Sequence, residues 1–444
     1  MSTSISLKHI NRLAIPALIS GVSEPILSLT DAAIVGNIEV NPTESLAAVG
    51  IVATFLSMLI WVLGQTRSAI SSILSQYLGA NKLDHVKDLP AQAILVITTL
   101  SVLIILSTYP FASSIFKFYN ASELILEYCV SYYQIRVFGF PFTLFTIAVF
   151  GTFRGLQNTF YPMVIALIGT LANIVLDIVL VYGYGTLIPA MHLEGAAYAS
   201  VIAQLLMAAI SAYLLLTKTP IPLQVKFPFN KEIKRFAGMI LNLFVRTLAL
   251  NITLYLSTRF ATGLGTSFIA AYTIGINLWF LGAFVIDGYA SAGNILSGKL
   301  YGAKQYHLLL QLGKKLIKYG VLLGVFLSFL GFLLYKPIGH LFTQDTAVLD
   351  QFQKVFWIIL IMQPFCALAF IFDGIFKGLG KMKVLRNVLL LSTFMVFVPA
   401  LYALDYLNWN LYAVFTAIFI WIIARGLPLI VLFWKMFMPK AENE

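Results

Sequence analysis

Apolar stretches follow one another along this chain, each ending at a short polar or Gly/Pro-containing break. A helix needs about 20 consecutive apolar residues to cross a bilayer, and the breaks predict twelve such spans. They run at 10–37, 46–78, 91–118, 122–154, 161–185, 194–217, 234–262, 267–300, 308–335, 345–377, 384–404 and 411–437. The longer ones must tilt or project beyond the hydrocarbon. One connection stands apart: Lys218 to Lys234 holds three prolines and four lysines, a composition that marks a linker. The expected organisation is a six-helix lobe at 1–217, a linker at 218–233 and a second six-helix lobe at 234–444.

The two lobes repeat each other. Pro141-Phe142 recurs as Pro364-Phe365, and Arg154-Gly155-Leu156 as Lys377-Gly378-Leu379. Leu46-Ala47-Ala48 answers Ile269-Ala270-Ala271, and Gly79-Ala80 answers Gly302-Ala303. All four pairs are 223 residues apart. An even number of spans per lobe starts both lobes on the same face, so the repeat is parallel. The fold class is therefore all-α, polytopic, with two six-helix bundles. Duplicated bundles of this kind are a common basis for alternating access in secondary transporters.

Composition agrees with a membrane protein. The chain is 60% hydrophobic and 11% charged, against about 45–50% and about 25% in soluble domains. Its net charge of +11 sits in short loops rather than in a nucleic-acid-binding face. Lys8, Arg12, Lys82, Lys87, Arg154, the linker lysines, Lys299, Lys304, Lys314, Lys315, Lys381, Lys383 and Arg386 fall on one side, with little beyond Lys117, Lys336 and Arg259 opposite. The positive-inside rule then puts both termini and the linker in the cytoplasm, with the chain in the inner (plasma) membrane. Lys8 and Arg12 precede an apolar run too long for a cleaved signal, which reads as a retained first span. Cys129 and Cys366 lie in apolar segments and build neither a disulfide framework nor a zinc site. No GxxxxGK[ST] occurs, since Gly378–Lys381 lacks the first glycine and a following hydroxyl residue. No Ser/His/Asp set is visible either. The expectation is a monomeric non-enzyme with no cofactor, whose partners are the lipid bilayer and a small organic substrate.

Against this apolar background, carboxylates at membrane depth stand out, because ionising one there costs at least about 2.5–3.5 kcal/mol. The first span carries Glu24 and Asp31, with Pro16 and Pro25 as bending points that free backbone carbonyls. Asp31 lies roughly 25 Å along the helix from the cytoplasmic start. In the fifth span, Asn173 and Asp177 are spaced i, i+4 on one face, at roughly 24 Å. Ser200 enters the sixth span at a similar level. Oxygen donors suit a hard cation such as Na⁺, and a carboxyl at such depth suits carriage of H⁺. A structural polar network between helices is the competing reading of the same residues. Glu24 and Asp287 are candidate cavity acids, and Tyr132 and Tyr133 are candidate walls for an organic cation. Arg67, Arg136 and Arg246 read as structural partners of acids or carbonyls, and Asp373 with Lys377 as an i, i+4 ion pair.

Taken together, several features resemble the multidrug and toxic compound extrusion (MATE) family. They are the two six-span repeats, Pro16 fifteen residues before Asp31, the Gln76–Gly79–Ala80 ending of the second span, and RGLQNT at 154–159. RTLALNITLYLSTRFATGLG followed by DGYASAGNILSGKLYGA is similar to the DinF subgroup. The resemblance covers nearly the whole chain. It implies a V-shaped pair of bundles, cation-coupled antiport and a cation site at Asp31, Asn173, Asp177 and, where Thr is usual, Ser200. Tyr132 matches an aromatic polar position near that site. Asn294 stands where subgroup members often have an acid, and the seventh span lacks the acid of the NorM branch. The expected function is an antiporter exporting amphipathic cationic compounds against inward H⁺ or Na⁺. A flippase for lipid-linked precursors is the alternative.

Overall fold

The computed structural model describes residues 5–121, 123–185 and 187–444, apart from the side chains of Glu24, Pro25, Ser28 and Leu29. The roles expected of Glu24 and Pro25 thus lie outside the described side chains. The first helix, α1, runs Leu7–Val35. Eleven further helical segments are long and apolar enough to span a membrane among the described residues. They are α2 (Pro42–Gly79), α3 (Leu83–Thr108), α4 (Glu123–Gly155), α5 (Phe160–Tyr182), α6 (His192–Lys218), α7 (Ile233–Leu264), α8 (Thr266–Gly302), α9 (Tyr306–Phe342), α10 (Thr346–Gly378), α11 (Met382–Tyr406) and α12 (Leu411–Glu442).

Most ends fall within a few residues of those expected. The third differs, because helix was expected through residue 118 but α3 stops at Thr108. Tyr109 still has helical dihedrals and donates to Ile105 O, but Pro110 has no N–H to donate to the preceding turn. The remainder, Ala112–Phe118, forms a separate seven-residue helix. Proline acts less uniformly inside the repeat. Pro141 follows a 3₁₀ turn at Val137–Gly139 that divides α4, whereas its counterpart Pro364 is carried inside a continuous α10. A π-helical segment, Ser392–Phe397, interrupts α11.

The chain forms two compact units. The N-terminal unit comprises Ile19–Leu74 and Lys82–Ile240, and the C-terminal unit comprises Met1–Leu18, Ser75–Asn81 and Leu241–Glu444. In the former, Val35, Phe55, Phe116, Tyr132 and Tyr133 belong to one buried cluster. The core of the latter includes Trp279, Phe352, Phe356, Phe397, Phe415 and Trp421. Much of the outer surface is apolar, including Leu322, Val325, Phe326, Phe329 and Phe332 along α9. That is the surface a lipid tail covers at no desolvation cost.

The 223-residue repeat is also a repeat of packing. A Cβ on Gly151 would lie 2.7 Å from the Arg67 carbonyl oxygen, and one on Gly374 2.1 Å from that of Ala290. Both members of the second pair stand 223 residues after those of the first. Gly155 against Ser71 is answered in the same way by Gly378 against Asn294. Small residues let membrane helices approach backbone to backbone, where dispersion replaces the missing hydrophobic drive. The glycines of the motif are therefore the crossing points of α2 with α4 and of α8 with α10. Gly79 and Gly302 complete the set. A Cβ on Gly79 would lie 1.9 Å from Lys299 O, and one on Gly302 1.8 Å from Gln76 O.

Candidate functional site

In the N-terminal unit, α1, α5 and α6 bring Asp31, Asn173, Asp177 and Ser200 together. All four are buried, Asp31 at 6% exposure and Asn173 and Asp177 at none. The helical spacing i, i+4 puts Asn173 and Asp177 on one face of α5, and Asp31 meets that face from α1. With its oxygen toward Ser200 N at 3.2 Å, Asn173 donates to Asp31 Oδ1 at 2.9 Å and to Asp177 Oδ2 at 3.2 Å. In the reverse orientation Asn173 donates instead to Ser200 Oγ at 3.4 Å. The first orientation satisfies both ends of the amide, as a buried polar group requires.

The Asp31 and Asp177 carboxyl groups thus face one another across the Asn173 amide, with Ser200 on its other side. Ionised carboxylates are acceptors alone, so two of them in one buried place can be relieved by a proton shared between them. Asp177 Oδ1 is buried and has no hydrogen-bond partner among the described residues. Two acids from different helices are thus buried around one amide. Tyr182 Oη donates to the Ile34 carbonyl at 2.9 Å, which fastens the end of α5 to α1 one turn beyond Asp31.

Sequence reasoning left Arg136 out of this set. Its charge acts on both Asp31 and Asp177 and on Tyr132. Arg136 Nη1 also donates to Gln204 Oε1 at 3.0 Å. The 3₁₀ turn follows immediately, and Gly139 in it leaves room for Gln204, whose Oε1 would be 1.8 Å from an added Cβ. Two spacings carried the signal: Tyr132–Arg136 and Ser200–Gln204 are each i, i+4 pairs on one helix face.

Other candidates have different settings. Tyr132 is buried beside Arg136, while Tyr133 is core, bonded to Thr108 Oγ1 at 2.5 Å and edge-on to Phe116 at 5.3 Å. Asp287 is exposed on α8, in the C-terminal unit, with Ser291 Oγ at 3.5 Å. Pro16 is half-buried within α1, on the segment assigned to the C-terminal unit. The expected pair of Asp373 and Lys377 forms at 2.9 Å. Its other oxygen receives Arg246 Nη2 at 2.5 Å, so Asp373 is held by two cations.

Comparison with known proteins agrees with this architecture. The MatE family profile matches residues 16–179 and 243–402, one stretch in each half. The chain belongs to the MatE family. Among MatE relatives, DNA damage-inducible protein F of Escherichia coli (strain K12) is 26% identical over 430 residues, 95% of this chain and 91% of that one. Multidrug resistance protein NorM of Vibrio vulnificus (strain CMCP6) is 24% identical over 413 residues, covering 90% and 87%. A crystal structure of the Vibrio cholerae MATE transporter VcmN in its bent form superposes with a TM-score of 0.88 at 19% identity, covering 98% of this chain and 97% of that one. Another, of MATE in the bent conformation, gives 0.90 at 21% identity, covering 98% and 96%. The VcmN structure is named a MATE transporter and NorM a multidrug resistance protein, and none of these names is that of an enzyme.

Proposed function

We propose that this MatE chain is a secondary antiporter that exports amphipathic, cationic organic compounds across the inner membrane, driven by inward proton flow through Asp31 and Asp177. The observation carrying the reading is the buried carboxyl pair, donated by two different helices and bridged by one amide. An acid that gains a proton or ion in one conformation and releases it in another biases the equilibrium between them, by an amount equal to its differential affinity. Toxic-compound export follows from the relatives, NorM being named a multidrug resistance protein.

The same oxygen set leaves Na⁺ as the second coupling ion. Proton coupling is the reading preferred here, because two neighbouring buried acids can share and exchange a proton. Both termini and the linker lie in the cytoplasm in this scheme, with 1–217 and 234–444 acting as the two lobes.

Proteoliposomes loaded with a cationic dye test the reading when pH and Na⁺ gradients are imposed separately. Dye movement with the pH gradient in Na⁺-free buffer is expected. Movement with the Na⁺ gradient alone would overturn proton coupling, and movement with neither would overturn antiport. Orientation is tested by single cysteines at Lys226 and Asn41 with an impermeant thiol reagent on intact cells. Labelling is expected at Asn41, and labelling at Lys226 instead would invert the topology.

A further inference from the structure

The C-terminal unit contains a second buried charge cluster that the transport scheme leaves unused. Arg246 from α7, Lys377 from α10 and Arg425 from α12 surround the single carboxylate of Asp373. Both Asp373 oxygens are already taken, one by Arg246 and one by Lys377. Arg425 is 5% exposed and its Nη1 has no hydrogen-bond partner among the described residues. Its guanidinium stacks over Trp421 at 4.8 Å and Phe370 at 5.1 Å. Those rings stabilise the cation, but they supply no acceptor of the kind Nη1 lacks. Three cations against one anion at this depth is an arrangement that burial strongly disfavours without compensation.

A small cavity opens at this point, lined by Arg246, Asp373, Arg425 and the apolar Leu385, Val388 and Leu429. It offers about 10 Å³ to the centre of a water-sized sphere, enough for roughly one water or one monatomic ion. The lining thus combines a surplus of positive charge, an unused N–H and room for one atom. We infer that this cavity binds a single monatomic anion, chloride in the cell, coordinated by Arg425 and Arg246. The aliphatic walls suit a weakly hydrated halide. The site is separate from Asp31 and Asp177 and does not depend on their role.

The test measures thermal unfolding of the full chain in detergent, with chloride replacing gluconate at constant ionic strength. A saturable rise in Tm with chloride, and with bromide, is expected for the wild type and for Asp31→Asn. Arg425→Met should lose the halide-dependent rise, with apparent affinity falling roughly tenfold or more, as removal of a charged hydrogen-bond donor implies. Crystals grown in bromide give a readout that needs no variant, and an anomalous peak beside Arg425 Nη1 is expected. Equal Tm values in chloride and gluconate, a halide response retained by Arg425→Met, or absence of the bromide peak would overturn the site. An equal rise with acetate would overturn the assignment to a monatomic ion.

Discussion

Replacing Asp31 with Asn changes one atom and removes one ionisable group from the carboxyl pair. The Asn173 amide bonds Asp31 Oδ1 at 2.9 Å, and an Asn oxygen at position 31 accepts the same bond without its charge. A charge-assisted bond is about twice as strong as a neutral one, so the static loss is on the order of 1 kcal/mol. Removing a buried acid lowers the desolvation cost and offsets part of that loss. Folding and insertion should therefore survive. Coupling should not, because a group that cannot exchange a proton has no differential affinity with which to bias two conformations. A pH step of about one unit is worth about 1.4 kcal/mol per proton, which at one proton per substrate sustains roughly a tenfold concentration ratio. Wild-type proteoliposomes should reach that ratio with a cationic dye, whereas Asp31→Asn should equilibrate dye at a ratio of about one. Dye binding by fluorescence anisotropy should persist in the variant. An Asp31→Asn protein that holds the wild-type ratio would refute the reasoning.

Gly139→Ala should expel Gln204 from its place beside Arg136, costing about 1.5–3 kcal/mol for the charged hydrogen bond; an unchanged Tm and an unchanged dye ratio would show that Gln204 does not hold Arg136. Gly374→Ala should destabilise more than Gly151→Ala, since the added Cβ would meet a carbonyl at 2.1 Å rather than 2.7 Å. Overpacking of this kind costs about 1–3 kcal/mol or more, and the reverse order of Tm values would contradict the geometry. Asp373→Asn should lower stability by about 3–5 kcal/mol, because Arg246 and Lys377 lose a buried partner. Its readout is monodispersity and Tm in detergent, and wild-type values would show that the two cations are solvated.

Much of the architecture was legible in the order of residues. The long membrane helices and their duplication followed from apolar run length and from motifs spaced 223 residues apart, because a bilayer demands long apolar helices whatever their packing. Depth was legible too. A fixed rise per residue put Asp31 and Asp177 at one level before any contact was known. The break after Thr108 was signalled by Pro110, whose local effect was underweighted in reading 91–118 as one span.

What depended on tertiary structure was the rotation of each helix about its axis. A soluble helix announces its buried face by an apolar stripe, but a helix apolar all round announces none. Hence the direction in which Arg136 reaches, the amide of Asn173 set between two acids, and the meeting of Arg246 with Asp373 could not be read from spacing. The repeated glycines illustrate the division. Their recurrence is a property of the sequence, yet that Gly151 and Gly374 are where helices touch backbone to backbone was decided by packing. In a membrane the hydrophobic effect selects which segments insert, while close dispersion contacts and buried hydrogen bonds select which faces meet.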